Sequence, residues 1–299
     1  MKDTARNGWR RFGYLCMSVV PLIAYAVLMF LVSMVLSVVM LLPAAMAVVQ
    51  EGVQDMYGYL MEYYMERIAE ISMLAGVVYA VLALIGMGLW YYFGCRRKSF
   101  TPPKAARNPL NLVILAVLAY CMQYAAQIIM ILVNIFLPKA MDNYEQMIEL
   151  AGVGEVTVLG VLYGVILGPI AEELVFRGLT LYYAQKFTRR FWLANLIQAV
   201  LFGVMHMNLV QGIYASVLGL VLGLVYHRFR SLYASMWLHI FFNFLAFGPL
   251  VFLDGLLPQN AVFQLCWYGL MCVAAVLLLW VIYRRTARKP AAAEKQAGM

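Results

Sequence analysis

Charged residues are scarce in this sequence. Asp, Glu, Lys and Arg together make up 12% of the 299 residues, whereas hydrophobic residues make up 65%. A soluble globular domain carries about a quarter charged residues, and no stretch of this chain is polar enough to form a separate soluble domain. The composition therefore excludes an ordinary soluble protein and predicts a single integral membrane domain over residues 1–299.

Cysteine motifs and nucleic-acid-binding surfaces are also missing. The five cysteines are scattered and none forms a Cys-x-x-Cys pair, so we interpret them as small apolar residues. The net charge is +8, but Lys and Arg occur in short clusters between long apolar runs. We therefore expect no nucleic-acid partner, and we interpret the basic clusters as a positive-inside signal in a lipid bilayer.

The apolar runs are long enough to cross a membrane, which takes about 20 mostly apolar residues. The first run extends well past the ~7–15 residues of a signal-peptide core, so we expect it to stay attached. The predicted fold is all-α, a polytopic bundle of about eight transmembrane helices, of which the sixth is the shortest. The segments are 14–49, 74–94, 109–137, 156–182, 191–209, 212–227, 232–253 and 261–283.

The distribution of charge predicts the topology. If the N-terminus is cytoplasmic, the inside segments are the N-terminal arm, 95–108, 183–190, 228–231 and the C-terminal tail. They contain 4, 5, 3, 2 and 5 Lys or Arg residues, which makes 19 of the 22, while ten of the fourteen acidic residues fall in the outside loops. We therefore expect both termini in the cytoplasm, and a prokaryotic cell membrane as the location.

One outside stretch, 51–72, mixes Met and Tyr with acidic residues. Tyr is favoured at the membrane interface. The stretch therefore predicts an amphipathic helix that lies at the outer interface.

Three charged residues lie inside the fourth predicted span, where each costs on the order of 2.5–3.5 kcal/mol to insert. They are Glu172, Glu173 and Arg177. Glu173 and Arg177 are four residues apart and can form a buried ion pair on one helix face. Glu172 points about 100° away, so an ion pair alone does not explain it.

Two histidines and an asparagine complete a candidate polar centre. His206 and His239 lie in the fifth and seventh predicted spans, Asn243 follows His239 by one turn, and Phe202 precedes His206 by one turn. A carboxylate and an imidazole can take a proton from water, and amide N–H groups can stabilise an oxyanion. The same residue types could instead form a metal site, and residue types alone do not separate the two.

Three motifs on three successive helical segments resemble those of a known family. AEELVFRG matches an EExxxR motif, LFGVMH an FxxxH motif, and HIFFN an HxxxN motif. In this order they resemble the CPBP family, which comprises CAAX prenyl proteases of the Rce1 type together with bacteriocin-processing and immunity relatives. The resemblance covers about residues 156–247, which would be the catalytic core.

The resemblance implies an intramembrane endopeptidase that hydrolyses a peptide bond of a membrane-associated peptide or protein. Its site residues would then have three tasks. Glu172 and His206 would activate the attacking water. His239 and Asn243 would form the oxyanion hole. Glu173 and Arg177 would orient the site.

The family has been described both as metal-dependent and as a glutamate-type protease. We favour the reading without a cofactor, because Asn243 is a poor zinc ligand and a good oxyanion donor. If a divalent metal such as zinc is present, Glu172, His206 and His239 are the expected ligands. Other functions stay open: a non-catalytic scaffold or immunity protein of the same fold, or a proton-coupled transporter.

Overall fold

The computed structural model describes residues 2–95, 103–152 and 156–286. Half of the predicted basic segment 95–108 and most of the C-terminal tail lie outside the described residues. The described ranges contain helices and no strand, as the sequence predicts. The α-helices are α1 Lys2–Glu51, α2 Met56–Trp90, α3 Lys104–Arg107, α4 Pro109–Phe136, α5 Pro138–Leu150, α6 Val158–Gly160, α7 Gly168–Glu173, α8 Leu181–Thr188, α9 Phe191–Met205, α10 Leu209–Phe229, α11 Leu232–Ala246, α12 Pro249–Gly255 and α13 Ala261–Arg285.

Three π-helical segments continue these helices. Tyr91–Cys95 extends α2, Val161–Leu167 joins α6 to α7, and Leu174–Thr180 joins α7 to α8. The result is one continuous helix from Val158 to Thr188. Isolated π-helical turns inside α-helices occur frequently at functional sites, and here two of them flank the short α7.

Polar side chains and prolines set several of the helix starts. Asn108, Asn208 and Asn260 each accept a hydrogen bond from a backbone N–H in the first turn of the helix that follows. Asn is among the preferred N-cap residues, because it satisfies an N–H that the helix leaves without a partner. Pro109 and Pro138 stand in the first turns of α4 and α5, where the missing N–H costs nothing.

The described residues contain somewhat fewer helices of spanning length than the eight segments predicted. By length and hydropathy, the described residues contain six helices that could each cross a membrane, or seven if the bent pair α11–α12 is one span. The fifth predicted segment is the short apolar helix α9, and the seventh is broken by a 58° bend. At Gly248, φ is +130°, a conformation that L residues rarely adopt. The sixth segment, the shortest in sequence, is the 21-residue helix α10.

The stretch 51–72 is not a separate interfacial helix. From Met56 onwards it forms the first part of α2, which continues without interruption to Trp90. A helix of 35 residues is about 52 Å long, while the hydrocarbon core of a bilayer is about 30 Å thick. The first turns of α2 therefore extend the second span beyond the hydrocarbon region.

The outer faces of the bundle are apolar. In α13 the large side chains of Val273, Leu277 and Trp280 are each more than half exposed. Soluble monomers rarely expose contiguous apolar faces of this size, so the surface is suited to lipid. Together with the long apolar helices, it identifies an integral membrane protein.

Close helix contacts in the interior depend on glycine. A Cβ added at Gly223 of α10 would lie 1.8 Å from Asn195 Oδ1 of α9, and one added at Gly219 would lie 3.1 Å from the Cα of Ala199. The missing side chains let the backbones of α9 and α10 approach closely, as small residues do in membrane bundles. This packing holds α9 against the core that surrounds the candidate site.

Candidate active site

The two adjacent glutamates lie at the end of α7 and point to different environments. The side chain of Glu172 is 11% exposed and lines a cavity of about 370 Å³ among the helices. Glu173 is fully buried and does not line that cavity. The sequence predicted this divergence, because successive helical residues project about 100° apart.

Glu173 and Arg177 form a buried ion pair. Arg177 Nη1 lies 2.9 Å from Glu173 Oε1, and neither side chain is exposed. Arg177 Nη2 also donates to the backbone oxygen of Gly219 at 3.3 Å, and its guanidinium lies 4.4 Å from the ring centroid of Phe202. The predicted pair is present, and Arg177 additionally connects α10 and α9 to the helix that carries both glutamates.

His239 lies between the two carboxylates. Its Nδ1 is 3.0 Å from Glu173 Oε1, within hydrogen-bond distance, and its Nε2 is 3.6 Å from Glu172 Oε2. The contact with Glu173 was not expected from the sequence. The motif spacing assigned Glu173 to Arg177 alone, and no sequence signal shows how α11 is rotated toward α7.

This contact restricts the protonation of His239. Glu173 faces a guanidinium, so it is ionised and can only accept hydrogen bonds. Nδ1 of His239 must then carry the proton that lies between them. Nε2 is consequently an acceptor when the ring is neutral, and it donates only when the ring is an imidazolium. The Glu172 oxygen, at 3.6 Å, is close to Nε2 but beyond hydrogen-bond distance.

His206 and Phe202 approach the same centre from α9. His206 directly follows the last residue of α9, and its ring centroid lies 5.1 Å from that of Phe202. The Phe202 ring also lies 5.7 Å from the His239 ring, edge to face. Phe202 thus packs against both histidines and against the guanidinium of Arg177, and its supporting role stays a prediction.

Asn243 completes the predicted set. Its Nδ2 donates to the backbone oxygen of Gly164 at 2.8 Å, in the π-helical segment that precedes α7. An amide nitrogen carries two N–H groups, so one remains beyond this bond. The predicted residues that line the cavity together are Glu172, Phe202, His206, His239 and Asn243. Their catalytic roles stay a prediction.

A tyrosine cluster that the sequence analysis missed joins the first two helices to the cavity. Tyr163 lines the cavity, and its hydroxyl hydrogen-bonds to that of Tyr79 on α2. The Tyr79 ring in turn packs edge to face on Tyr25 of α1, at 5.5 Å between centroids. Tyrosines are frequent in this sequence and none lies in a motif, so the sequence contains no signal for this cluster.

The metal alternative requires three donors around one point. Glu172, His206 and His239 line the same cavity. In the described part of the chain, however, no group of three or more His, Cys, Asp and Glu side chains is placed to hold a metal ion. Nδ1 of His239 is bound to Glu173, so Nε2, which lies 3.6 Å from Glu172 Oε2, is the nitrogen that could bind a metal. The metal alternative therefore stays a prediction, which chelation and elemental analysis can test.

Comparison with known families agrees with the motifs. Residues 154–245 match the family model described as type II CAAX prenyl endopeptidase Rce1-like. The resemblance inferred from the three motifs is therefore confirmed over this region, which contains every predicted site residue. The match covers less than a third of the chain, so it says nothing about α1, α2 or α13.

One curated relative is similar over much the same extent. "Putative membrane peptidase YdiL" of Bacillus subtilis (strain 168) is 28% identical over 85 residues, which are 28% of this chain and 34% of that protein. The chain thus covers about a third of the length of this relative. No solved structure matches the chain significantly. These similarities support an intramembrane protease at the level of the family.

Proposed function

We propose that this protein is an intramembrane endopeptidase that hydrolyses a peptide bond of a membrane-associated peptide or protein. The observation that carries the proposal is the cavity. Side chains from α7 and α11, and one residue just beyond α9, bring a carboxylate, two imidazoles and an amide to one cavity. These are the groups that proton transfer and oxyanion stabilisation require.

Glu172 is the proposed general base, and His206 assists it. Glu172 is the acidic residue of the site that reaches the cavity, since Glu173 is turned toward Arg177 and His239. The carboxylate takes a proton from the attacking water and returns it to the leaving amine. The apolar surroundings strengthen this proton transfer, because water competes little for the carboxylate at this depth.

His239 and Asn243 are the proposed oxyanion donors. Nδ1 of His239 is held by Glu173, so Nε2 can donate only from the imidazolium. In that state His239 and Arg177 carry two positive charges, and Glu172 and Glu173 carry two negative ones. A buried group of charges that sums to zero avoids an uncompensated charge in the bilayer. The second N–H of Asn243 supplies the other donor.

The orienting role falls to Glu173 and Arg177, which do not reach the cavity. Glu173 fixes the ring of His239 by accepting from Nδ1, and Arg177 fixes Glu173. Removing Arg177 would therefore disturb His239 indirectly, because Glu173 would lose the partner that holds it in place. This arrangement resembles the way that a buried carboxylate sets the tautomer of a catalytic histidine.

The test is turnover by purified protein in liposomes. A panel of membrane-associated peptides is incubated with wild type, His206→Ala and His227→Ala, and the products are identified by mass spectrometry. His227 is the matched control, since it is exposed and stacks on Phe191 at 3.9 Å. We expect cleavage by wild type and His227→Ala and none by His206→Ala. A folded wild type that cleaves no peptide in the panel would favour a scaffold, immunity or transport function.

The same assay tests the cofactor. We expect the rate to survive exhaustive chelation, with no stoichiometric zinc found by elemental analysis. One zinc per chain, whose removal abolishes a rate that added zinc restores, would overturn the proposed roles while leaving the protease assignment intact.

A further inference from the structure

The Lys- and Arg-rich segments meet at one end of the bundle. Arg11 Nη2 donates to the backbone oxygen of Phe187 at 3.1 Å, and Arg228 Nη2 donates to that of Tyr283 at 2.6 Å. Arg285 Nε bonds at 2.8 Å to a side chain at the start of α4. These contacts join α1, α4, α8, α10 and α13, and we call this the basic end.

The acidic residues lie at the opposite end. The Tyr124 hydroxyl of α4 donates to the Asp254 carboxylate of α12 at 2.7 Å. The Tyr144 hydroxyl of α5 lies 3.3 Å from the Tyr214 hydroxyl near the start of α10. Two exposed stripes of acidic side chains, one on α2 and one on α5, flank this region, which we call the acidic end. They are Glu62, Glu66 and Glu70, and Asp142, Glu145 and Glu149.

The candidate catalytic cavity occupies the half of the bundle nearer the acidic end. Glu172 lies 14 residues after Val158 and 16 residues before Thr188, the two ends of its helix, or about 21 Å from the acidic end and about 24 Å from the basic end. The cavity walls include Gly160, at the start of that helix, and Phe247, just beyond α11. Both lie at the acidic end.

Helix α5 contributes one wall of the cavity. Four half-buried residues from α5 and the residue after it line the cavity: Tyr144, Met147, Ile148 and Ala151. None of the arginines that tie the basic end together lines it. The cavity therefore extends from Glu172 toward the acidic end and not toward the basic end.

We propose that the catalytic cavity is entered from the outer face of the membrane. Basic segments are retained in the cytoplasm, so the acidic end faces outside. The substrate class is then a membrane-associated peptide or protein whose scissile bond lies at or just within the outer surface. A cytoplasmic C-terminal tail of the CAAX kind does not reach the cavity. The choice of substrate rests on the proposed protease function; the sidedness of the cavity does not.

Thiol labelling tests the sidedness without any activity. Ile148→Cys places a thiol in the cavity wall, and Arg190→Cys places one at the exposed basic end, each in a background with the five native cysteines replaced. A charged, membrane-impermeant methanethiosulfonate is added to right-side-out or inverted vesicles. We expect Ile148→Cys to react at least tenfold faster in right-side-out vesicles, and Arg190→Cys in inverted ones. Faster reaction of Ile148→Cys in inverted vesicles, or reaction in neither, would overturn the proposal.

Activity measured in the same vesicles tests the substrate class. An impermeant peptide that detergent-solubilised wild type cleaves is added to each vesicle type. We expect cleavage in right-side-out vesicles and at least a tenfold lower rate in inverted ones. Cleavage confined to inverted vesicles would refute outer access while the protease function stands. Absence of cleavage even in detergent would refute the protease function, and labelling would still decide the sidedness.

Discussion

The buried pair of Glu173 and Arg177 makes the sharpest energetic prediction. The two charges lie 2.9 Å apart with no exposed surface, and two unit charges about 4 Å apart interact by about 4 kcal/mol at an effective dielectric constant of 20. Arg177→Met leaves Glu173 uncompensated inside the bundle. We expect it to lower the free energy of unfolding by about 3–5 kcal/mol, which is the usual cost of breaking a buried pair from one side.

A double-mutant cycle separates the pair from the packing of Arg177. Glu173→Gln removes the charge but keeps an oxygen that can accept from His239. We expect the double variant Glu173→Gln/Arg177→Met to lose at least about 2 kcal/mol less than the sum of the single variants, because no unpaired charge remains. The assay is unfolding of the purified protein in mixed micelles by titration with SDS, followed by tryptophan fluorescence.

A surface pair of nearly the same length is the control. Arg67 Nη1 lies 3.1 Å from Glu66 Oε2, but these side chains are 35% and 63% exposed. Exposed pairs contribute about 0–1 kcal/mol, so Arg67→Met should change stability little. If the cycle at Glu173 and Arg177 is additive within about 0.5 kcal/mol, the two residues do not stabilise the protein as an ion pair.

Three further outcomes are expected. Asn243→Ala should keep a residual rate, about 10²–10³-fold below wild type in peptide turnover, because one oxyanion donor is lost; a rate equal to wild type would remove Asn243 from the mechanism. Gly223→Ala should lower stability in the SDS titration by about 1–3 kcal/mol, since its Cβ would clash with Asn195. Gly269→Ala is the control and should leave stability unchanged, because a Cβ there would meet nothing within 4 Å. Tyr163→Phe should lower the melting temperature, because Tyr79 loses its hydroxyl partner in the interior; an unchanged melting temperature would show that the bond contributes nothing.

The sequence was informative about the site because buried charge is rare in a membrane. Glu172, His206 and His239 stood out for that reason, and the i, i+4 spacing of Glu173 and Arg177 was enough to predict their ion pair. The contact between Glu173 and His239 was not predictable, since it depends on the rotation of α11 about its axis and on its depth in the membrane relative to α7. The spacing of residues within one motif determines neither the rotation nor the depth.

The helices were easier to predict than their ends. Hydropathy located every apolar segment, but it gave no reason for α9 to stop at Met205 or for α11 to end at Ala246. Those ends follow from the backbone: Met207 has φ +50° and Gly248 has φ +130°. The described residues therefore contain six or seven helices of spanning length where eight segments were expected, and α2 is one helix where two segments were expected. The all-α class was predicted correctly.

The most direct test of the catalytic account is the rate of peptide cleavage by Glu172→Gln. The substitution keeps the size of the side chain and removes its basicity, and Glu145→Gln on the exposed face of α5 is the matched control. At equal amounts of folded protein in liposomes, we expect Glu172→Gln to cleave at least about 10²-fold more slowly than wild type, and Glu145→Gln to cleave within about twofold of it. Cleavage by folded Glu172→Gln at the wild-type rate would contradict the account.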